Sequence, residues 1–287
     1  MRFKDNRAAS FAVIAGVYAM AAAVGVLCYR AFPFEPWLKL LLADVVATAV
    51  TYIFSVIFKN ASVYDPYWSV QPIVITVAFA IGRQLNAVHI LLLVAVCFWG
   101  VRLTANWAYT FKGLNHQDWR YTSIKQKTGR LYQPVNFLGI HLFPTLVVYA
   151  CILPAVFAFV CPVQINVGTV IFTAVSLGAT VLQGVADIQM HKYRKNRNGN
   201  FIRNGLWKYS RHPNYLGEIL MWWGVGLACV CAMPDKWYLL VGALVNNLMF
   251  LFVSVPLAEG RQGKKEGFEE YKKQTRMFLP IKKFKTK

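Results

Sequence analysis

Charged side chains are the scarcest class in this sequence. Asp and Glu number 12 in 287 residues, and all four charged types make up 15% of the chain, against roughly 25% in soluble globular proteins. That deficit excludes an ordinary water-facing surface along the whole length. Two nucleotide signatures are missing as well. There is no GxGxxG fingerprint and no Walker loop, so neither a Rossmann nor a P-loop phosphate cradle is expected. The six cysteines, Cys28, Cys97, Cys151, Cys161, Cys229 and Cys231, lie in or at the ends of apolar runs without CxxC or Cys/His spacing. Zinc sites of the usual kind are thereby excluded, no metal is predicted, and buried free thiols are expected. Cys28, Cys161, Cys229 and Cys231 fall toward one end of the predicted helices, where a disulfide stays open. No internal repeat, low-complexity linker or sizeable soluble domain is present.

What the sequence has is apolar length. Hydrophobic residues make up 57% of it, and runs of about 20 such residues span a bilayer core as helices. Candidate spans are 10–31, 37–58, 66–83, 87–110, 135–161, 166–189, 213–233 and 237–258, with 66–83 the weakest. The first exceeds the length of a signal-peptide core and reads as a retained helix. Net charge is +19, and with the N terminus in the cytosol 26 of the 31 Lys and Arg residues fall on the cytosolic side. That asymmetry is a topology signal and an attraction to anionic headgroups. No basic segment forms a nucleic-acid recognition module, so nucleic acid is not an expected partner. The predicted fold class is an all-α polytopic bundle of seven to eight transmembrane helices in one membrane domain, 1–287, with both termini cytosolic.

Acids inside apolar runs are costly and point to a bundle interior or a water-filled cavity. Asp44, Asp65, Asp187, Glu218 and Glu259 qualify. A structural partner is expected for Asp44. Asp65, before Pro66, reads either as a helix cap or as a functional acid. Arg102 and Asn106 share a helical face, and a buried Arg102 wants either an acid, from Asp65 or Asp118, or a phosphate. Asp187, His191 and Arg194 share another face as their helix leaves the membrane. The following loop carries Arg194, Lys195, Arg197 and Arg203 around Asn198, Gly199 and Asn200, a composition suited to phosphates. In "GLWKYSRHPNYLGE", 205–218, Pro213 starts a helix whose N terminus favours an anion next to Arg211 and His212. Asn214 and Glu218 then lie one turn apart on one face. Farther on, Phe268 and Tyr271 suit a short amphipathic helix at the membrane interface, ended by Pro280.

"GLWKYSRHPNYLGE" and "EGFEEYKKQTRMFLP", together with "DWRY" at 118–121 and "YDPYWSVQP" at 64–72, resemble the steroid 5-alpha-reductase family, specifically its uncharacterised bacterial branch. The resemblance covers most of the chain and is strongest across 183–280. It implies a membrane enzyme that uses NADPH to reduce a carbon–carbon double bond conjugated to a ketone in a steroid-like or other lipophilic substrate taken from the bilayer. It divides the domain into substrate-side helices (1–134) and a cofactor-binding half (135–287). Asp187 and Arg194 match cofactor-lining positions, Asn214, Tyr215 and Glu218 match the Asn-aromatic-Leu-Gly-Glu motif, and Arg203, Arg211 and His212 join them in holding the cofactor. Tyr64 and Asp65 fall where a Gln-Glu pair serves the ketone, and Trp99 falls near that family's Tyr. Indole cannot serve as that proton donor, so Tyr64, Tyr67 and Tyr109 are open replacements. The implied location is a bacterial inner membrane or the endoplasmic reticulum, with the site facing the cytosol. The Arg-His-Pro-x-Tyr-x-Gly pattern also looks like membrane methyltransferases that use S-adenosylmethionine, and a lipid-binding or transport protein is a third, non-enzymatic reading.

Overall fold

The computed structural model describes residues 2–196 and 199–279; Arg197, Asn198 and Pro280 lie outside them. Seven helical stretches are long and apolar enough to cross a membrane, and the described residues contain no strand beyond an isolated bridge between Ser210 and Arg276. The protein is an all-helical, multi-pass membrane bundle.

Helices α1 (Arg7–Ala31) and α2 (Pro36–Phe58) form a hairpin, followed by α3 (Tyr67–Ala80) and α4 (Ala87–Thr110). A long element then joins α5 (Trp119–Thr128), α6 (Tyr132–Val135), a π-helical segment Asn136–Leu142 and α7 (Phe143–Val160). After α8 (Val167–Lys195) and α9 (Pro213–Ala232) come α10 (Val241–Met249), a second π-helical segment Phe250–Ser254, α11 (Val255–Gln262) and α12 (Phe268–Gln274). The starts are written locally. Asn6, Asn86 and Asn166 each accept a backbone N–H of the first turn with the side-chain oxygen, and α2 and α9 begin on Pro36 and Pro213, where the missing N–H costs nothing.

The expected span 66–83 is shorter than a full crossing. It contains only the 14 residues of α3, about 21 Å at 1.5 Å per residue, against a hydrocarbon core of about 30 Å. It still links opposite ends of the bundle. Arg7 Nη2 donates to Ala108 O at 2.8 Å and Lys4 Nζ donates to Phe58 O, so α1 starts where α2 and α4 finish, and α3 must climb back between them. The C-terminal segment lies at the same end: Arg261 stacks 4.2 Å over the Trp119 ring, and Arg276 and Met277 bond to the start of α9.

The most extensive helix–helix contact is between α8 and α9, and glycine makes it possible. A Cβ on Gly217 would sit 2.5 Å from Gln183 Cγ and 2.8 Å from Ala179 O, and one on Gly224 would sit 2.8 Å from Phe172 O. Small residues one helical face apart let two backbones approach. The largest apolar cluster includes α3, α4, α7, α9 and α10 and contains Trp99 and Trp222, both essentially inaccessible. All six cysteines are free.

The apolar face of α12 does not lie on a membrane surface as its amphipathic pattern suggested. Phe268 and Tyr271 are buried against Phe201, and the Tyr271 hydroxyl donates to Trp207 O. The loop after α8 supplies the aromatic and backbone partners that a short apolar stripe would otherwise seek in lipid.

Candidate functional site

Three helices bring the motif residues together. The polar stripe of α4, Trp99, Arg102 and Asn106, lies against the stripe of α8, Gln183, Asp187 and His191. Arg102 Nη1 meets Asp187 Oδ2 at 2.7 Å, Arg102 Nη2 donates to Gln183 Oε1, and His191 Nε2 and Asn106 Oδ1 are 2.7 Å apart. The acid for Arg102 is therefore Asp187, not Asp65 or Asp118 as expected. The spacing within each helix was readable; which stripes face one another depends on α4 packing on α8.

Helix α9 adds Glu218, 6% exposed. One carboxylate oxygen accepts from Trp99 Nε1 and the other from Trp222 Nε1, each at 2.9 Å. Two indoles that can only donate thus fix the carboxylate in an apolar setting, where leaving it unpaired would be costly. Around this arrangement Arg102 Nε, Gln183 Nε2 and Asn214 Oδ1 are buried without a hydrogen-bond partner. Two donors and an acceptor left open at one three-helix junction suit a polar ligand that offers both functions.

The loop residues are distributed differently. Gln189, Lys192 and Asn196 line a cavity of about 780 Å³ with Phe201, Arg203 and Gly205. At 3.6 residues per turn they lie on the side of α8 opposite Asp187 and His191. The cavity and the α4–α8–α9 junction are separated by α8 itself. Arg203 also donates from Nη2 to Gly267 O at 2.7 Å and stacks over Phe201. Arg194 is exposed on the Asp187 side.

Arg211 and His212 hold the C-terminal segment. Glu259 Oε1 lies 2.8 Å from Arg211 Nε and 3.0 Å from His212 Nε2, and Arg211 Nη1 donates to Thr275 O at 2.5 Å. The backbone N–H of Arg211 goes to Arg276 O and that of His212 to Met277 O. The two backbone amides that lead into α9 are thus given to the chain's own tail. His212 stacks on Tyr215 at 5.1 Å, 5° from parallel.

Tyr64 and Asp65 are sequence neighbours with separate environments. The Tyr64 hydroxyl bonds to Thr145 Oγ1 at 2.8 Å in the core, and burial pushes its pKa upward. Asp65 does not cap α3, whose N-cap is Pro66 with no side-chain cap bond. Its Oδ1 accepts the Tyr121 hydroxyl at 2.6 Å. Burial pushes the Asp65 carboxyl up to about 6, against the opposing pull of Arg120 and Tyr121. Burial would raise Asp118 too, but the hydrogen bond and charge of Arg120 outweigh it and hold that carboxyl below its ordinary value. Tyr215 packs its ring between His212 and Phe250, whose centroids lie 5.1 and 4.9 Å away.

Of the replacement tyrosines, Tyr67 donates to Asp44 Oδ1 at 2.8 Å, and Tyr109 is 68% exposed. Asp44 has the structural partners expected of it, since Gln71 Nε2 also donates to it at 2.5 Å. Sequence reasoning missed Tyr121, Gln183 and Trp222. Gln183 lies one turn before Asp187 and Trp222 one turn after Glu218, a spacing that could have flagged them. No group of three or more potential metal ligands occurs among the described residues.

Residues 51–275 match the family model described as protein of unknown function, DUF1295. The chain is also 26% identical over 217 residues to an uncharacterized protein of Schizosaccharomyces pombe, an alignment covering 66% of this chain and 63% of that relative. No solved structure matches. With the family model covering most of its length, including Tyr64, Asp65 and the α4–α8–α9 junction, the chain belongs to the DUF1295 family.

Proposed function

We propose that the protein is an NADPH-dependent reductase that saturates a carbon–carbon double bond conjugated to a ketone in a lipophilic substrate, with its site open to the cytosolic side. The observation that carries this reading is the α4–α8–α9 junction: Glu218 gripped by Trp99 and Trp222, the Arg102–Asp187 pair, and the unpartnered Arg102 Nε, Gln183 Nε2 and Asn214 Oδ1. These include the motif positions that resemble the reductase cofactor site, and the open donors and acceptor suit the amides and hydroxyls of a dinucleotide. Asn214, Glu218, Asp187 and Arg194 would hold it, with Tyr215 lining it; Arg203 is available to a phosphate only if it leaves Gly267. Arg211 and His212 would act at one remove, by keeping the start of α9 in place.

A reduced nicotinamide supplies a hydride. The chain's part is to bind, to exclude water and to deliver a proton to the oxygen on which enolate charge develops. Asp65 with Tyr121 is the pair suited to that. A carboxyl with a pKa of about 6 carries a proton in a usable fraction of molecules near neutral pH, and Tyr121 Oη, 2.6 Å away, relays it or is oriented by it. Tyr64, committed to Thr145, shapes the wall beneath. The test is NADPH oxidation by purified protein with a panel of polycyclic and open-chain enones; saturable oxidation lost in Asp65→Asn supports the reading, and no oxidation with any enone counts against it.

One observation favours a second reading. Because the basic-loop cavity lies across α8 from the Asp187 face, a cofactor without phosphates fits the junction without needing the loop. S-adenosylmethionine is such a cofactor, and a methyltransferase is the reading that would follow.

A further inference from the structure

A second cavity, of about 340 Å³, lies at the basic end of the bundle between α2 and the start of the long element that leads into α7. Lys59 and Lys125 line it, with Ser55, Tyr132, Gln133 and Asn136. Neither lysine has a carboxylate partner among the described residues. Lys125 Nζ lies 5.6 Å from the centroid of the Tyr132 ring.

Lys59 is the C-cap of α2 at φ 53°, the only non-glycine residue with positive φ among those described. Glycine takes that conformation freely and a side chain takes it at a cost. Flanking charge explains a lysine near this helix end, but not one at the position where glycine is cheaper. Asn136 supplies an independent sign of a ligand. It is 2% exposed, its Nδ2 donates to Ser55 Oγ at 3.3 Å, and its Oδ1 is buried with no partner. The Ser55 hydroxyl already donates to Tyr52 O at 2.8 Å, so flipping the amide would not satisfy that oxygen. The cavity therefore offers two cations and one acceptor that needs a donor. Beside it, Ile53, Val56 and Ile57 form an exposed apolar strip on the last turns of α2.

We propose that this cavity binds a phospholipid headgroup. Lys59 and Lys125 take the phosphate oxygens, Asn136 Oδ1 accepts from an ammonium or hydroxyl at the headgroup's end, and the acyl chains lie along Ile53, Val56 and Ile57. Ethanolamine and glycerol headgroups carry such a donor, whereas choline carries none. The site is independent of the reductase reading, since none of its residues belongs to the junction or to the Asp65–Tyr121 pair.

The experiment is thermal unfolding of the full chain in detergent, titrated with dihexanoyl phosphatidylethanolamine, phosphatidylglycerol, phosphatidylcholine or inorganic phosphate. A ligand that binds the folded state raises its midpoint. The first two lipids are expected to raise it saturably, with phosphatidylcholine and phosphate about tenfold or more weaker, a ratio equivalent to about one headgroup contact. Lys59→Gly removes the ammonium while suiting the left-handed backbone, so it should leave the unliganded midpoint unchanged or higher and weaken both lipids; Lys125→Gln should weaken them as well. Unchanged lipid affinity in the Lys59→Gly, Lys125→Gln double variant overturns the site. Phosphate as effective as the lipids makes it a free-anion site instead, and phosphatidylcholine as effective as phosphatidylethanolamine overturns the role of Asn136.

Discussion

Trp99 on α4 donates its indole N–H to Glu218 on α9 at 2.9 Å, so the residue at the position of an expected tyrosine orients a carboxylate instead of delivering a proton. Replacing it tests how much of the junction depends on that bond. Trp99→Phe leaves one buried carboxylate oxygen without its donor and is expected to cost about 1–3 kcal/mol, read as a lowered thermal midpoint. Glu218→Gln, which keeps an acceptor for one indole only, should lower the midpoint less than it lowers cofactor affinity. An equal and small effect of both on affinity would remove the carboxylate from the cofactor site.

The Arg102–Asp187 pair predicts non-additivity. Its side chains are 15% and 18% exposed, so removing one partner strands a mostly desolvated charge, at a cost of about 3 kcal/mol or more. Arg102→Gln and Asp187→Asn should each be strongly destabilising, and the double variant should cost less than the two summed. Additive losses would mean that the two charges do not interact.

Asp65 predicts a pH dependence of known sign. Its carboxyl is raised from an ordinary 3.8 to about 6 by burial, so the folded state binds the proton more tightly than the unfolded chain. The stabilisation from that proton is complete below about pH 4 and is lost as pH rises through about 6. At pH 7.5 the ionised Asp65 costs on the order of 3 kcal/mol. Asp65→Asn should therefore raise the thermal midpoint at pH 7.5, leave it nearly unchanged at pH 4, and abolish turnover. A variant less stable than wild type at pH 7.5 would assign Asp65 a structural role.

Gly217→Ala tests the α8–α9 contact. The added Cβ would meet Gln183 Cγ and Ala179 O at 2.5 and 2.8 Å, and one of these is backbone that cannot turn aside. A loss of about 1–3 kcal/mol is expected, with cofactor affinity falling as Gln183 shifts; an unchanged midpoint would mean that the helices separate at little cost.

Glu259 ties Arg211 and His212 to the tail. Glu259→Gln should free the segment 263–279 for limited proteolysis before the bundle unfolds, and wild-type resistance in that variant would show that the backbone bonds at Arg276 and Met277 suffice.

The helices were legible in the sequence because apolar length and asparagine or proline starts are local signals. Single-helix faces were legible too: Asp187 with His191, Asn214 with Glu218, Arg102 with Asn106. Partners across helices were not. Arg102 chose Asp187 because α4 packs on α8, a pairing that the spacing within either helix does not express. The same holds for Asp65, whose cap reading was locally sound until Tyr121, brought in from α5, took its carboxylate. The amphipathic tail helix was recognisable as such, but its partner was Phe201 rather than lipid, a choice no periodicity expresses.

The most direct test of the account is a thermal-unfolding comparison of NADPH, NADH and S-adenosylmethionine on detergent-purified protein and on its Glu218→Gln variant, since a ligand of the folded state must raise its midpoint. The account predicts a shift with NADPH, weakened in the variant, and none with S-adenosylmethionine. A shift with S-adenosylmethionine alone would contradict it in favour of a methyltransferase, and no shift with any of the three would contradict a cofactor site at the α4–α8–α9 junction.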